Sequence, residues 1–212
     1  MEVKLGADII PLPLKNGGTS AAILSLVRKR VDEKMEFLMC GLKENIADAL
    51  FEEMAALDQQ DALAHHFNIM RVMKVDEEKY KAKFEELTSR LWDTFPFEID
   101  DSLVSEPSGE VAEILRPLSH RVANHYKVLI QETRRRFQTL LKRTVDTHPL
   151  LPEYYYHCFW QSLAELDLTY EERSFIMPLF HRFVMDRYGQ IVVTANKTLI
   201  ELKVDITIQA VD

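Results

Sequence analysis

The amino-acid sequence predicts an all-α protein of about five helices, three of them long, in an elongated helical bundle with a short extended arm at each end. Apolar residues recur at steps of three and four along most of the chain, which is the spacing of one buried helix face. The 212 residues include only six glycines and eight prolines, too few for many short strands joined by turns. The hydrophobic share of 47% is enough for a substantial core.

The first half of the chain is expected to form an arm and a long helical hairpin. Residues 1–18 form the arm, which ends in the turn residues Asn16, Gly17 and Gly18. Residues 19–95 form the hairpin, and the polar run 58–61 separates its two helices. The apolar stripe of the first helix comprises Leu24, Val27, Val31, Met35, Leu38, Leu42, Ile46, Leu50, Met54 and Leu57, and that of the second comprises Leu63, Phe67, Met70, Tyr80, Phe84, Leu87 and Leu91.

The second half is expected to form a linker, three helices and a tail. Residues 96–109 are an acidic linker, and residues 110–202 are a three-helix segment that packs on the hairpin. Its first helix should run to about residue 146, with Pro117 near its start either tolerated or kinking the helix. Its second helix should cover 152–166, and its third should run from a capping box at Thr169 and Glu172 to residue 202. Residues 203–212 alternate between apolar and polar side chains, as strands do, and are expected to form an extended tail.

The charge balance argues against a general nucleic-acid-binding protein. The formal net charge is −8, whereas phosphate contacts need a cationic surface. The first 14 residues lack the basic and apolar regions of a signal peptide, and no apolar run reaches the roughly 18 residues that cross a bilayer. The sequence therefore predicts a cytoplasmic protein without a membrane segment. Its two cysteines, Cys40 and Cys158, are expected to be buried, reduced thiols.

Two stretches of the chain carry motifs that resemble a known family. An early stretch reads Asp48-Ala49-Leu50-Phe51-Glu52, with Phe67, Met70, Arg71 and Phe84 after it. The later stretch, 148–202, contains His148-Pro149-Leu150, Phe159, Leu166-Asp167-Leu168, Phe180-His181-Arg182, Tyr188-Gly189 and Leu199-Ile200. By these motifs the chain resembles the proteobacterial family of domain of unknown function sixteen-thirty-one, and residues 148–202 resemble the end of its members.

The resemblance implies a mostly helical bacterial protein and, more faintly, a regulatory or adaptor role in signalling. Some members of the family carry a thymidine phosphorylase label, but the family supplies no catalytic residues that could be carried over to this chain. His181 stands where the family usually has Asp, and His148 stands where it usually has Asn. These departures suggest a distant or shortened member.

The spacing of the side chains gives little support for a metal site or a catalytic nucleophile. Asp61 and His65, and also Glu153 and His157, are four residues apart and could face one ion from one side of a helix. His65 and His66 are adjacent, so they point in different directions. We therefore expect no metal site and no cofactor, and we assign no catalytic residue. A metal-dependent enzyme whose Glu and His ligands converge from separate helices remains an alternative.

A basic cluster comprises Arg134, Arg135, Arg136, Lys142 and Arg143. Residues 31–60 contain eight acidic side chains and two basic ones, so pairing between the arginines and the first helix, or plain solvation, is the favoured interpretation. A nucleotide- or nucleic-acid-binding regulatory module that uses residues 134–143 is the alternative. Three consecutive arginines spread around a helix and do not form one flat surface.

An aromatic cluster lies at the start of the fourth predicted helix and comprises Tyr154, Tyr155, Tyr156 and Trp160, together with Phe159. Core packing is the favoured interpretation, and contact with a protein partner is the alternative, because consecutive residues cannot all face one neighbour. The sequence thus favours a non-enzymatic helical module for protein–protein interaction or regulation. Its partner is unknown, and a homodimer formed by arm pairing or long-helix packing is expected.

Overall fold

The computed structural model describes residues 18–55, 60–95 and 109–205, and within these ranges it is all-α without a strand. The predicted fold class is therefore confirmed. The described elements are α1 (Gly18–Ala55), α2 (Gln60–Val75), α3 (Glu77–Thr94), α4 (Glu110–His125), α5 (Lys127–Leu141), α6 (Pro152–Leu163), α7 (Tyr170–Phe183), a 3₁₀ helix (Met185–Arg187) and α8 (Gly189–Glu201).

The expected number of five helices is too low, because three predicted helices are interrupted. The second is interrupted at Asp76, the third at Tyr126, and the fifth between Phe183 and Gly189. Tyr126 leaves helical geometry with φ −104° and ψ 18°, yet it donates to the carbonyl of Val122 and accepts from the amide of Ile130. A break of one residue that keeps these bonds hardly shifts the apolar spacing, so periodicity alone does not reveal it.

The longest helix, α1, packs against α8, α2 and α7. The helix α3 packs instead against α6, which also contacts α4 and α7, while α5 packs against α8. Helices from both halves of the chain thus share one core. Because α1 and α3 rest on different neighbours, their facing sides leave an open groove between them.

The predicted stripe on α1 is buried at all eight positions from Leu24 to Leu50 whose side chains are described. On α2 the prediction was wrong for Phe67, which is 54% exposed. The buried face of α2 is formed by Ile69, Val72 and Met73 instead. The helix α2 packs against α1 and α7, whereas α3 packs mainly against α6. The side chains of Met54, Leu57 and Leu63 lie outside the described part.

The two cysteines differ in their surroundings. Cys158 is buried, as expected, and burial raises the pKa of its thiol to about 12. Cys40 is exposed, contrary to the prediction, because it lies beside the apolar stripe of α1 rather than within it. Neither cysteine forms a disulfide.

The start of α7 follows a local sequence signal, and the end of α8 has a defined backbone geometry. Thr169 and Glu172 form the predicted capping box at the start of α7, with each side chain bonded to the other residue's backbone amide. At the end of α8, Lys203 adopts a positive φ of 60°, and the amide of Val204 donates to the carbonyl of Leu199. The predicted arm 1–18, the linker 96–109 and the tail 203–212 lie outside the described residues, apart from Gly18, Gly109 and residues 203–205.

Candidate functional site

The groove between α1 and α3 is the candidate functional site. It encloses about 960 Å³ and is open to solvent. Its α1 side extends from Ser25 to Met39, and its α3 side extends from Glu78 to Ser89. Its lining residues are Ser25, Arg28, Lys29, Asp32, Glu33, Met35, Glu36, Met39, Glu78, Lys81, Ala82, Phe84, Glu85, Glu86, Thr88 and Ser89.

Ion pairs connect α1 to α3 at both ends of the groove. At one end, Arg28 Nη1 lies 2.6 Å from Asp93 Oδ1, and Arg28 Nη2 donates to Ser89 Oγ over 2.5 Å. At the other end, Lys43 Nζ lies 2.9 Å from Glu77 Oε2. These contacts show that α1 and α3 run antiparallel along the groove. They also mark the two ends of the groove, since each ion pair crosses from α1 to α3 near one end.

The floor of the groove is apolar and its rims are acidic. Met35, Met39 and Phe84 are buried among the residues that line it. The ring of Phe84 lies 6.4 Å from that of Tyr155 on α6 and 6.3 Å from that of Phe180 on α7, so the floor rests on the aromatic core. The rims carry six carboxylates and three cationic side chains, which leaves an excess of negative charge along the groove.

The ion pairs within the groove neutralise only some of its carboxylates. Arg28 contacts Asp32, Lys29 contacts Glu33, and Lys81 contacts Glu77. Within the described part of the chain, Glu36, Glu78 and Glu85 form no ion pair. These three carboxylates therefore lie beyond ion-pair distance of the cations among the residues described, although the hydrogen bond to Glu77 and, to a smaller extent, the charge of Glu78 raise the pKa of Lys81.

Asp32 has the most perturbed carboxyl group of the groove. Burial raises its pKa to about 6, against the opposing effect of Arg28, and the charge of Glu85 adds to the increase. Its side chain nevertheless remains 50% exposed. The charge of this rim therefore changes in the mildly acidic range.

The basic cluster mainly connects segments of the chain to one another. Arg134 donates to the carbonyl of Val145 and pairs with Asp146, both beyond the end of α5. Arg136 donates to the carbonyl of Val204, and Arg143 to that of Phe95. Of the predicted cluster, Arg135, Lys142 and Arg143 are exposed. The favoured pairing with α1 is not found among the described residues, because these side chains contact the chain close to α5, the end of α3 and the end of α8 instead.

The aromatic cluster lies inside the protein. Tyr154, Tyr155, Tyr156 and Trp160 are all buried, with Tyr156 completely so. This is possible for consecutive residues because α6 is enclosed by α3, α4 and α7. Phe159 stacks on Phe180 with ring centroids 4.0 Å apart. In this conformation the four predicted partner-binding rings are packed within the chain, with Trp160 beside Tyr170 and the guanidinium of Arg173 over its ring.

Next to α6, the side chains of Tyr156, His181 and Asp186 contact one another in series. The hydroxyl of Tyr156 is hydrogen-bonded to His181 Nδ1, and His181 Nε2 lies 3.2 Å from Asp186 Oδ1. Burial lowers the pKa of His181, and the carboxylate of Asp186 opposes this change. The pKa of Tyr156 is raised, again by burial. Since Tyr156 is fully buried, its hydroxyl group cannot reach a substrate, and the arrangement serves to satisfy buried polar atoms.

A second polar cluster surrounds the buried carboxylate of Glu172. Burial alone would raise its pKa, but hydrogen bonds from the Thr169 amide, Asn68 and His65 hold it below the usual range. His65 Nδ1 lies 3.4 Å from Glu172 Oε1. This cluster joins α2 to the start of α7 and supports the capping box.

Among the described side chains, the ligand pairs considered from the sequence do not form part of a larger cluster. Over residues 18–55, 60–95 and 109–205, no group of three or more His, Cys, Asp or Glu side chains could hold a metal ion. His157 Nε2 lies 2.6 Å from the Gln161 amide nitrogen, and the side chain of Asp61 is outside the described part. None of the helices described is both long enough and apolar enough to cross a membrane.

Sequence reasoning missed the groove. Its acidic residues lie on two separate helices, and nothing in the sequence places the acidic sides of these helices opposite each other. The one available signal was local: Met35 and Met39 lie next to Asp32, Glu33 and Glu36 on α1.

The fold and the groove define the class of protein: an all-α domain with an open, charged groove beside an aromatic core. The chain belongs to the family described as "Protein of unknown function (DUF1631) N-terminal domain", which matches residues 19–203. The resemblance seen in the motifs is thus confirmed. The expectation that residues 148–202 resemble the end of the family's members is wrong, because the match is to the family's N-terminal domain. No curated protein and no solved structure gives a significant match.

Proposed function

We propose that this domain is a non-enzymatic module that binds a segment of a protein partner in the groove between α1 and α3. The observation that carries the proposal is the combination of a buried apolar floor with charged, solvent-exposed rims. Protein-binding surfaces commonly have an apolar centre and a polar edge. A regulatory role in the bacterial cytoplasm is the setting suggested by the family resemblance, and it is part of the same proposal.

The polar clusters described above support this choice over an enzyme. The most perturbed tyrosines, Tyr155, Tyr156 and Tyr188, are buried. Catalytic groups need contact with the reacting atoms, which these residues could make only if the core opened. The groove offers carboxylates and thioether side chains, which suit recognition of a cationic segment more than chemical transformation.

Site-specific photo-crosslinking in cells that express the protein tests the proposal. A photoreactive phenylalanine analogue replaces Glu36 in the groove, and in the matched control it replaces Glu44 on the same helix outside the groove. We expect a discrete protein adduct from position 36 and none from position 44. Equal labelling from both positions, or no adduct from position 36, would contradict a protein-binding role for the groove.

Self-association is a separate proposal. We propose a homodimer in which long-helix packing through α1 or pairing of the terminal arms forms the interface. Phe37 and Phe51 are exposed on α1, and exposed aromatic rings favour association. Sedimentation equilibrium of the full chain and of a version ending at Leu202 tests it. A monomer in both cases rejects the dimer, whereas a dimer unchanged by truncation rejects only the arm.

A further inference from the structure

The length of the groove matches a short helix. The lining of α1 extends over the 14 residue steps from Ser25 to Met39, and a helix rises about 1.5 Å per residue, so the groove is about 21 Å long. An extended segment would cross that distance in about six or seven residues, and a helix in about fourteen. Two antiparallel helices with an open side between them present parallel ridges, against which a third helix can pack.

The rims and the floor of the groove would contact different kinds of side chain on a bound segment. Buried contact with Met35, Met39 and Phe84 requires apolar side chains along one face, and thioether groups adapt to varied apolar partners. Contact with Glu36 on one rim and Glu78 and Glu85 on the other requires cations on both flanks of that face. A helix meets both demands when apolar residues recur at steps of three and four, with Lys or Arg beside them.

We infer that the groove between α1 and α3 binds a basic amphipathic helix of about four turns, with its apolar face on Met35, Met39 and Phe84 and its cations against Glu36, Glu78 and Glu85. This inference rests on the proposed function and specifies the partner segment. The ion pairs Arg28–Asp93 and Lys43–Glu77 bridge the groove at its two ends. A much longer helix would therefore have to displace them.

Three synthetic peptides of fourteen residues test the inference by fluorescence anisotropy with the full chain. The first has a leucine stripe at steps of three and four flanked by lysines. The second has the same composition in an order that abolishes the stripe, and the third keeps the stripe but has Glu in place of Lys. We expect the first peptide to bind at least about tenfold more tightly than either of the others, because only it satisfies both the floor and the rims.

Two matched variants locate the binding. Glu36→Gln with Glu85→Gln removes two rim charges, and Glu44→Gln with Asp48→Asn removes two exposed charges of α1 outside the groove. We expect the groove variant to bind the first peptide about fivefold more weakly and the control less than about twofold more weakly. Circular dichroism confirms that both variants remain folded.

The outcomes separate the inference from the proposed function. Similar affinity for the first two peptides, or equal losses in the two variants, would overturn the basic-helix inference. A photo-crosslinked partner segment at position 36 that lacks basic amphipathic character would overturn it as well, while leaving the groove as a protein-binding site. Tight binding of the first peptide that is weakened only by the groove variant supports it.

Discussion

The helices α6 to α8 and the surface formed by α1 and α3 differ in where their polar side chains lie. Several of those on α6 to α8 are buried, whereas those of the α1–α3 surface line a groove that is open to solvent. In the first region, several buried polar groups are bonded within the chain: Tyr156 to His181, Tyr188 to the carbonyl of Leu150, and the amide nitrogen of Asn196 to Thr133. Three other buried atoms there, His157 Nδ1, Arg173 Nε and Asn196 Oδ1, have no hydrogen-bond partner among the described residues. In the second region, carboxylates line an open groove, and several form no ion pair with the residues described.

The difference shows which histidines and tyrosines are structural. A buried polar group without a partner costs stability, so hydrogen bonds within the chain stabilise a helical core that contains such groups. Charges on an open rim are under no such constraint, and they remain available to a partner. Perturbed pKa values in the core therefore report burial, whereas the charge of the groove is the feature that suggests binding.

The largest effect is expected at His148, in the turn between α5 and α6. Burial, aided by the charge of Arg134, lowers its pKa to about 3. The unfolded chain binds a proton near the usual pKa of about 6.5, so the free energy of unfolding should fall as pH drops from about 6.5 towards 3, by up to about 1.4 kcal/mol per pH unit. Urea unfolding at a series of pH values measures this slope.

His148→Asn is the variant that isolates this contribution. The Asn side chain can still accept the hydrogen bond that His148 Nδ1 accepts from the Leu150 amide, but it does not titrate. The slope below pH 6.5 should therefore become shallower. The exposed His120, changed to Asn, serves as the control. If both variants have the slope of the original chain, the buried histidine is not responsible for the pH dependence.

The next effect is expected at Gly189, the first residue of α8. A Cβ atom there would lie 2.4 Å from the ring of Tyr126, whose hydroxyl donates to the carbonyl of Asp186. Gly189→Ala should lower the free energy of unfolding by about 1–3 kcal/mol, because overpacking outweighs the gain in helix propensity. Thermal unfolding checks this prediction.

Tyr126→Leu provides the second half of a double-mutant cycle for Gly189. Removing the ring should relieve the clash, so the pair of changes should cost less than the sum of the single changes. Strict additivity would show that Gly189 is not constrained by Tyr126.

A smaller effect is expected from Tyr188→Phe. The change removes the hydroxyl that donates to the carbonyl of Leu150 and leaves that buried oxygen without this bond. We expect a loss of about 1–2 kcal/mol in the free energy of unfolding, measured by chemical denaturation. Tyr126→Phe is the matched control, because its hydroxyl bond to Asp186 is more exposed and should contribute less. Equal losses would contradict the assignment of Tyr188 to the core network.

The smallest effect is expected in the groove, at Asp32. Since the pKa of Asp32 is raised to about 6, the groove gains a proton as pH falls from 7 to 5. Binding of the basic amphipathic peptide should weaken by a few-fold over that range, as one rim charge is lost. Asp32→Asn should bind more weakly at pH 7 and show a flatter pH dependence in anisotropy titrations. An unchanged pH profile would remove Asp32 from the binding surface.

The sequence predicted the fold class and most buried faces because apolar spacing reflects helix geometry directly. The stripe on α1 from Leu24 to Leu50 is an example. It did not predict the breaks at Asp76 and Tyr126, because each involves one residue and preserves the spacing. It also did not predict the groove, since the acidic sides of α1 and α3 are about 50 residues apart in sequence, and packing on different neighbours brings them opposite each other.

Nuclear magnetic resonance of the isotopically labelled full chain, titrated with the basic amphipathic peptide, tests the central claim most directly. The account predicts amide shift changes that concentrate in residues 25–39 of α1 and 78–89 of α3, while the amides around Tyr156 and His181 change little. Shift changes centred on α6 and α7, or the absence of any saturable change, would contradict the claim that this protein binds its partner through the groove.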